Sequence, residues 1–301
     1  MTGPGLRLCA LLLGVLVAAC GQGAHDGGGQ SAVVPGAAPP DSQAVRRGEY
    51  VFNAAGCLGC HTMEGGERLA GGRRLGTPFG AFHSPNITPD PIHGIGAWSE
   101  QDFMRALRAG VSPQGHRYFP AFPYTSYARM TDQDARDLWA YLRVQPASAQ
   151  ANRPHEVPPP FGWRFLLPVW QLLHLETGPL PDEPGQSREW NRGRYLVDVL
   201  GHCGECHTPR NRLGGLQSDR YLAGNEAGPE GEKVPNITPS DGGLGDWSAD
   251  DIVFMLETGL TPDGDSIGGP MAEVVRNSTS KLTAEDRNAI AVYLKGVGPL
   301  P

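Results

Sequence analysis

Cys57-Leu58-Gly59-Cys60-His61 is the stretch on which the reading of this chain turns, and it recurs as Cys203-Gly204-Glu205-Cys206-His207. Two cysteines two residues apart, followed at once by histidine, form the attachment sequence of c-type haem. Both thiols bond porphyrin vinyl groups, and the imidazole ligates the iron. The spacing is short because both sulfurs must meet one edge of a macrocycle while the next residue reaches its centre. Two other chemistries use C-x-x-C: the pairs could together hold one zinc ion through four thiolates, or an exported pair could be a redox dithiol. Each pair here brings its own histidine and its own flanking sequence, so the expected cofactors are two covalently bound haem c groups.

The cysteine count agrees with that division. Of six cysteines, Cys57, Cys60, Cys203 and Cys206 fill the motifs, and Cys9 and Cys20 lie in the N-terminal segment, which leaves none for a structural disulfide. That segment reads as an address. Residues 1–7 carry Arg7, residues 8–19 (LCALLLGVLVAA) form an apolar run too short to span a bilayer, and Val17-Ala18-Ala19-Cys20 resembles a bacterial lipobox. Residues 1–19 are then a lipoprotein signal peptide, Cys20 the lipidated first residue of the mature chain, and Gly- and Pro-rich residues 20–41 a flexible tether. The chain would sit on the periplasmic side of a bacterial membrane. A net charge of −7 makes it a poor partner for nucleic acid.

Beyond the tether, the pattern predicts a mainly α chain of two tandem domains of the class I cytochrome c type, residues 42–147 and 189–301, joined by a Pro-rich linker at 148–188. A helix is expected from Ser42 to Ala54, feeding into the first motif. Ser99 caps a second helix with Asp102 at its third position and Gly110 as its stop, and Thr131 caps a final one with Leu138, Tyr141 and Leu142 on one face. The same grammar repeats. Arg47-Gly48-Glu49-Tyr50 matches Arg192-Gly193-Arg194-Tyr195, and His61 and His207 lie 146 residues apart. Pro85-Asn86-Ile87-Thr88-Pro89 recurs as Pro235-Asn236-Ile237-Thr238-Pro239, and Trp98-Ser99 as Trp247-Ser248. Asn86, Asn236, Trp98 and Trp247 are open to two roles, hydrogen-bonding haem propionates or packing turns.

A c-type iron usually takes a sixth ligand from a downstream methionine. In the second half Met271 is the choice, in the Gly/Pro loop Ile267-Gly268-Gly269-Pro270-Met271, while Met255 reads as helix core. In the first half the position matching Met271 holds Phe122, which cannot ligate iron. Met130, just before the final helix, is the candidate there, with His116 as runner-up; Met63 is too close to His61 and Met104 reads as core. Within the linker, residues 161–175 (FGWRFLLPVWQLLHL) are rich in Trp, Phe and Leu but interrupted by Arg164 and Pro168. They read first as a buried strap packing the two domains together, and second as a docking surface for a partner or a membrane interface.

The run from Pro85-Asn86-Ile87-Thr88-Pro89 through Pro120-Ala121-Phe122-Pro123-Tyr124 to Met130-Thr131 resembles the cytochrome c subunit of membrane-bound alcohol and gluconate dehydrogenases. So do Arg192-Gly193-Arg194-Tyr195, Cys206-His207-Thr208-Pro209-Arg210-Asn211 and Gly269-Pro270-Met271-Ala272-Glu273-Val274-Val275, and the similarity covers residues 44–295. The resemblance implies a dihaem electron carrier and not an enzyme. It implies a membrane-bound or periplasmic dehydrogenase upstream and a quinone, cytochrome or oxidase of the respiratory chain downstream. That family commonly has a third C-x-x-C-H domain and a methionine where Phe122 stands. Two rival readings follow from the same residues: a dihaem peroxidase with an open first iron, and a carrier feeding a terminal oxidase directly.

Overall fold

The structure, a computed structural model, describes residues 41–301; the leader, Cys20 and the tether lie outside the described residues. Asp41 accepts a hydrogen bond from the Gln43 amide and starts helix α1 (Ser42–Ala54). Gly56, at φ +61, turns the chain into the short helix α2 (Cys57–His61). A hairpin follows, β1 (Arg74–Thr77) antiparallel to β2 (Gly80–His83), pairing Arg74 with His83 and Thr77 with Gly80. The sequence reading did not contain it. Glycines and a proline around its tip disguise the alternation, and its partner contacts come from the distant Glu156, whose backbone bonds Ala81.

The first half continues with α3 (Glu100–Ala109), α4 (Tyr124–Tyr127) and α5 (Asp132–Arg143). The linker carries α6 (Leu167–His174). The second half has α7 (Arg188–Tyr195), α8 (Gly204–His207), α9 (Ala249–Thr258), α10 (Gly269–Asn277) and α11 (Ala284–Gly296). The mainly α expectation agrees with this architecture. Capping explains the matched ends of α3 and α9. Ser99 with Asp102, and Ser248 with Asp251, form complete capping boxes, and Gly110 (φ +60) and Gly259 (φ +77) close the helices in the left-handed conformation.

The repeat also fixes where the long helices meet. α1 packs on α5, and α7 on α11. A Cβ at Gly48 would stand 1.9 Å from the Asp137 carbonyl oxygen, and one at Gly193 would stand 1.9 Å from that of Ala289. Only glycine allows that approach, so the Arg-Gly-x-Tyr repeat marks the closest contact of each helix pair. One residue distinguishes the halves here: ten positions separate Arg47 from Cys57, and eleven separate Arg192 from Cys203. The extra residue is absorbed as a π-helical turn over Leu196–Leu200, where the Gly201 amide bonds the Leu196 carbonyl at 2.7 Å.

Residues 41–301 fall in one unit, and a reciprocal pair of contacts joins its halves. The Tyr50 phenol donates to Asp286 of α11 at 2.5 Å and accepts from the Thr283 amide; the Tyr195 phenol donates to Asp134 of α5 at 2.6 Å and accepts from the Thr131 amide. Each tyrosine thus serves the N-terminus of the other half's last helix.

The linker differs from the expected buried strap. Its first part, residues 148–157, lies along the first half, with Asn86 bonding the Ser148 and Gln150 carbonyls and Asn152 bonding the Asn86 amide. In α6 only Leu167 and Gln171 are buried, while Val169, Leu172 and Leu173, and Phe165 in the turn before it, are exposed. The segment does touch both halves, Gln171 donating to the Ala109 carbonyl and the Trp170 indole to the Leu213 carbonyl, but it is not buried, because a short helix seated by two side chains cannot also bury its other faces.

Candidate functional site

Both C-x-x-C-H motifs sit on short helical turns entered through a left-handed residue, Gly56 at φ +61 before α2 and His202 at φ +39 before α8. The imidazoles that follow are held alike. His61 Nδ1 lies 2.8 Å from the Pro85 carbonyl oxygen and His207 Nδ1 lies 2.8 Å from that of Pro235. A proline carbonyl can only accept, so Nδ1 carries the proton and Nε2 keeps a free lone pair, the tautomer that ligates a metal. Burial lowers the pKa of both rings, partly opposed by those carbonyl bonds, so both stay neutral near pH 7.

This assigns a task to the repeated Pro-Asn-Ile-Thr-Pro stretch. Its first proline orients the histidine, and its asparagine locks the turn. Asn86 Oδ1 accepts from the Thr88 amide and hydroxyl while its Nδ2 bonds two linker carbonyls, and Asn236 accepts from Thr238 in the same way. The turn role, one of the two left open, accounts for every polar position of Asn86. The proline carbonyls are contributors that residue-type reasoning missed; the signal available was a motif recurring at similar distance behind each histidine.

The four motif cysteines are free thiols. Burial pushes Cys57 and Cys203 up to about 12 and Cys206 to about 11, and raises Cys60. A redox dithiol works through its thiolate, which this environment disfavours. A thioether sulfur is uncharged and loses nothing there. Among the described residues no group of three or more His, Cys, Asp or Glu is arranged to hold a metal ion, as a shared thiolate centre requires. The residues present therefore fit covalently attached haem c.

The candidate sixth ligands stand in different settings. Met130 is fully buried in the cluster against which Cys57 packs. Arg108 pins the chain around it, donating to the Ala128 and Met130 carbonyls and to Asp132. Phe122 packs at the edge of that cluster and His116 is exposed. Met271 is partly buried and, against expectation, is not in a loop: it lies in the first turn of α10, because Pro270 suits the start of a helix. Met104 and Met255 pack against the core as expected. His83 bonds Glu156 and His155 accepts from the His83 amide.

The two motifs face each other across the joined halves. The Tyr127 ring meets His202 at 5.5 Å and its phenol bonds the Ala55 carbonyl at 3.1 Å; Thr125 bonds Glu205 of the second motif. In return, Ser278 after α10 bonds the Ala54 carbonyl, and Arg73 pairs with Glu273 of α10 while donating to the Gly59 carbonyl in the first motif. Each half's distal segment thus lies against the other half's attachment turn. Sequence spacing carried no sign of this exchange.

Comparison with known proteins agrees with the site. Residues 45–145 match the Cytochrome c family. A diheme cytochrome c-type protein of Cereibacter sphaeroides is 52% identical over 258 residues, 83% of this chain and 85% of that protein. The fructose dehydrogenase cytochrome subunit of Gluconobacter japonicus is 41% identical over 84% of this chain. The cytochrome c subunit of the quinone alcohol dehydrogenase of Gluconobacter oxydans is 39% identical over 87% of it. The chain spans 52% and 56% of those two subunits, about half their length. Covalent haem and electron transfer, without catalysis of its own, follow from this kinship. The chain belongs to the cytochrome c family that includes the cytochrome c subunits of these dehydrogenases.

Proposed function

We propose that the chain is a dihaem electron carrier with two tandem cytochrome c domains, residues 42–147 and 189–301, linked by 148–188. It takes electrons from a membrane-bound or periplasmic dehydrogenase of the alcohol or sugar type and passes them to a quinone, cytochrome or oxidase of the respiratory chain. Haem c is attached at Cys57 and Cys60 with His61 and Met130 as axial ligands, and at Cys203 and Cys206 with His207 and Met271. Residues 1–19 are a signal peptide, and acylated Cys20 holds the protein on the periplasmic side of the membrane. When bound, the haems supply one-electron chemistry; the chain orients the imidazoles through the Pro85 and Pro235 carbonyls.

The observation that carries this reading is the matched pair of histidines, each with Nδ1 on a proline carbonyl beside two free thiols, in halves whose attachment turns face each other. Intact mass and a haemochrome assay on the purified protein test it: two haems per chain and two low-spin, six-coordinate centres are expected. One haem, or a first haem that binds carbon monoxide or peroxide, overturns it in favour of an open-iron enzyme. Co-purification from detergent-solubilised membranes identifies the dehydrogenase, and the mass of the N-terminal peptide reads the acyl group on Cys20.

A further inference from the structure

The linker helix is built inside out. Gln171, the polar residue at its centre, is buried, donating to the Ala109 carbonyl at 3.0 Å and accepting from Arg117. Leu167 is the second inward side chain, seated with Phe82 and Phe119. The outward surface is formed by Trp163, Phe165, Leu166, Val169, Leu172 and Leu173, with Phe165 70% and Leu172 84% exposed. A helix on the surface of a water-soluble protein arranges these faces the other way.

Charge is sparse in this segment. Residues 161–175 contain two ionisable side chains, Arg164 and His174; Arg164 is exposed and His174 half-buried. The Arg164 guanidinium donates to the Arg117 carbonyl and lies over the Phe119 ring at 4.3 Å. His174 packs on Gly215 and on the Trp170 ring at 4.8 Å. The patch is fixed rather than loosely hung: the Trp170 indole bonds the Leu213 carbonyl at 2.9 Å, Phe161 abuts Phe79 at 4.9 Å, and Trp163 stacks on Phe165. Leu213, itself exposed, extends the apolar surface onto the second half.

We infer that this face inserts into the interfacial layer of a lipid bilayer and gives the protein a membrane contact of its own, separate from Cys20. A protein partner is matched by a polar, hydrogen-bonding rim around an apolar centre. Trp, Phe and Leu presented on a short surface element with one exposed arginine, Arg164, suit the headgroup and acyl boundary instead. The sequence places a bilayer within reach. Twenty residues separate Cys20 from Asp41, and a chain of that Gly-rich composition has a root-mean-square span of about 25 Å. This last step rests on the reading of Cys20 as an anchor, so the test removes it.

Haem-loaded protein carrying Cys20→Ala, exported on an ordinary cleavable leader, is mixed with phosphatidylcholine vesicles and floated. The protein is expected to float with the vesicles, equally at low and high salt because phosphatidylcholine carries no net charge. Phe165→Ser with Leu172→Ser is expected to lower the partition coefficient about tenfold or more, with the haem spectrum unchanged. Protein that stays below the vesicles, or a double variant that floats as well as its parent, overturns the proposal. So does a dimer in solution that the double variant abolishes, which makes the face a contact between copies. Absence of an acyl group on Cys20 of the native protein refutes the anchor alone and leaves this result standing.

Discussion

Two imidazoles that share a geometry with proline carbonyls do more for the chemistry than their neighbours in sequence suggest. The bond fixes the tautomer, and the tautomer decides whether the ring can ligate. Met130 is the residue on which the first centre depends. Met130→Ala is expected to convert half of the haem to a high-spin signal, read by absorption and electron paramagnetic resonance. An unchanged low-spin spectrum refutes the ligand assignment. The second centre has a charged neighbour that the first lacks: Asp198 stands where the first half has Asn53, accepting from Tyr221 at 2.7 Å and Tyr293 at 3.0 Å. A nearby anion favours the oxidised, more positive iron. Asp198→Asn is therefore expected to raise the midpoint potential of the second haem and leave the first in place, as read by spectroelectrochemical titration.

Helix ends and crossings were the most legible elements, because each depends on a few residues close in sequence. Ser99, Asp102 and Gly110 announce α3 and do what such residues do, since a cap is a local hydrogen-bond problem. Ser99→Ala is expected to destabilise the protein by about 1 kcal/mol. The crossings are harder to read, since a glycine gives no hint of what it approaches. Gly48→Ala drives a methyl group into the Asp137 carbonyl and is expected to lose about 2 to 3 kcal/mol in denaturant unfolding, as is Gly193→Ala against Ala289. A loss below about 0.5 kcal/mol at either site means the helices can separate without penalty. The π turn at Leu196–Leu200 shows how an inserted residue is absorbed between α7 and the second attachment turn.

The joined halves depend on Tyr50 and Tyr195 and on the carboxylates they reach. Burial pushes Asp286 up, but the bonds from Arg192 and Tyr50 outweigh it and hold the carboxyl below its ordinary 3.8. A depressed carboxyl stabilises the folded state above its ordinary value, and the contribution is lost as pH falls through the lower folded value. Thermal unfolding followed into acid is thus expected to show a steeper loss for the parent than for Asp286→Asn. Equal slopes would mean that Asp286 has no share in acid stability. Tyr50→Phe with Tyr195→Phe removes both reciprocal bonds and leaves the N-termini of α5 and α11 short of a partner. Interhaem electron exchange, measured by flash reduction, is expected to become heterogeneous as the attachment turns lose their fixed separation.

The sequence alone determined the chemistry of attachment, the repeat, the helix caps and the mainly helical class. Each is written in residues a few positions apart, where hydrogen-bond reach and helical period leave little freedom. It pointed to Met271 but put it in a loop, because a Gly-Pro run looks irregular until the proline is found inside a helical turn. It favoured a buried strap for residues 161–175, because hydrophobicity says that a segment avoids water and not which of its faces succeeds. Only the tertiary structure paired His61 with Pro85, crossed the distal segments onto the opposite attachment turns and turned Gln171 inward. Those contacts join residues dozens to hundreds of positions apart, and their selection is made by the packing of the whole chain, which no local pattern encodes.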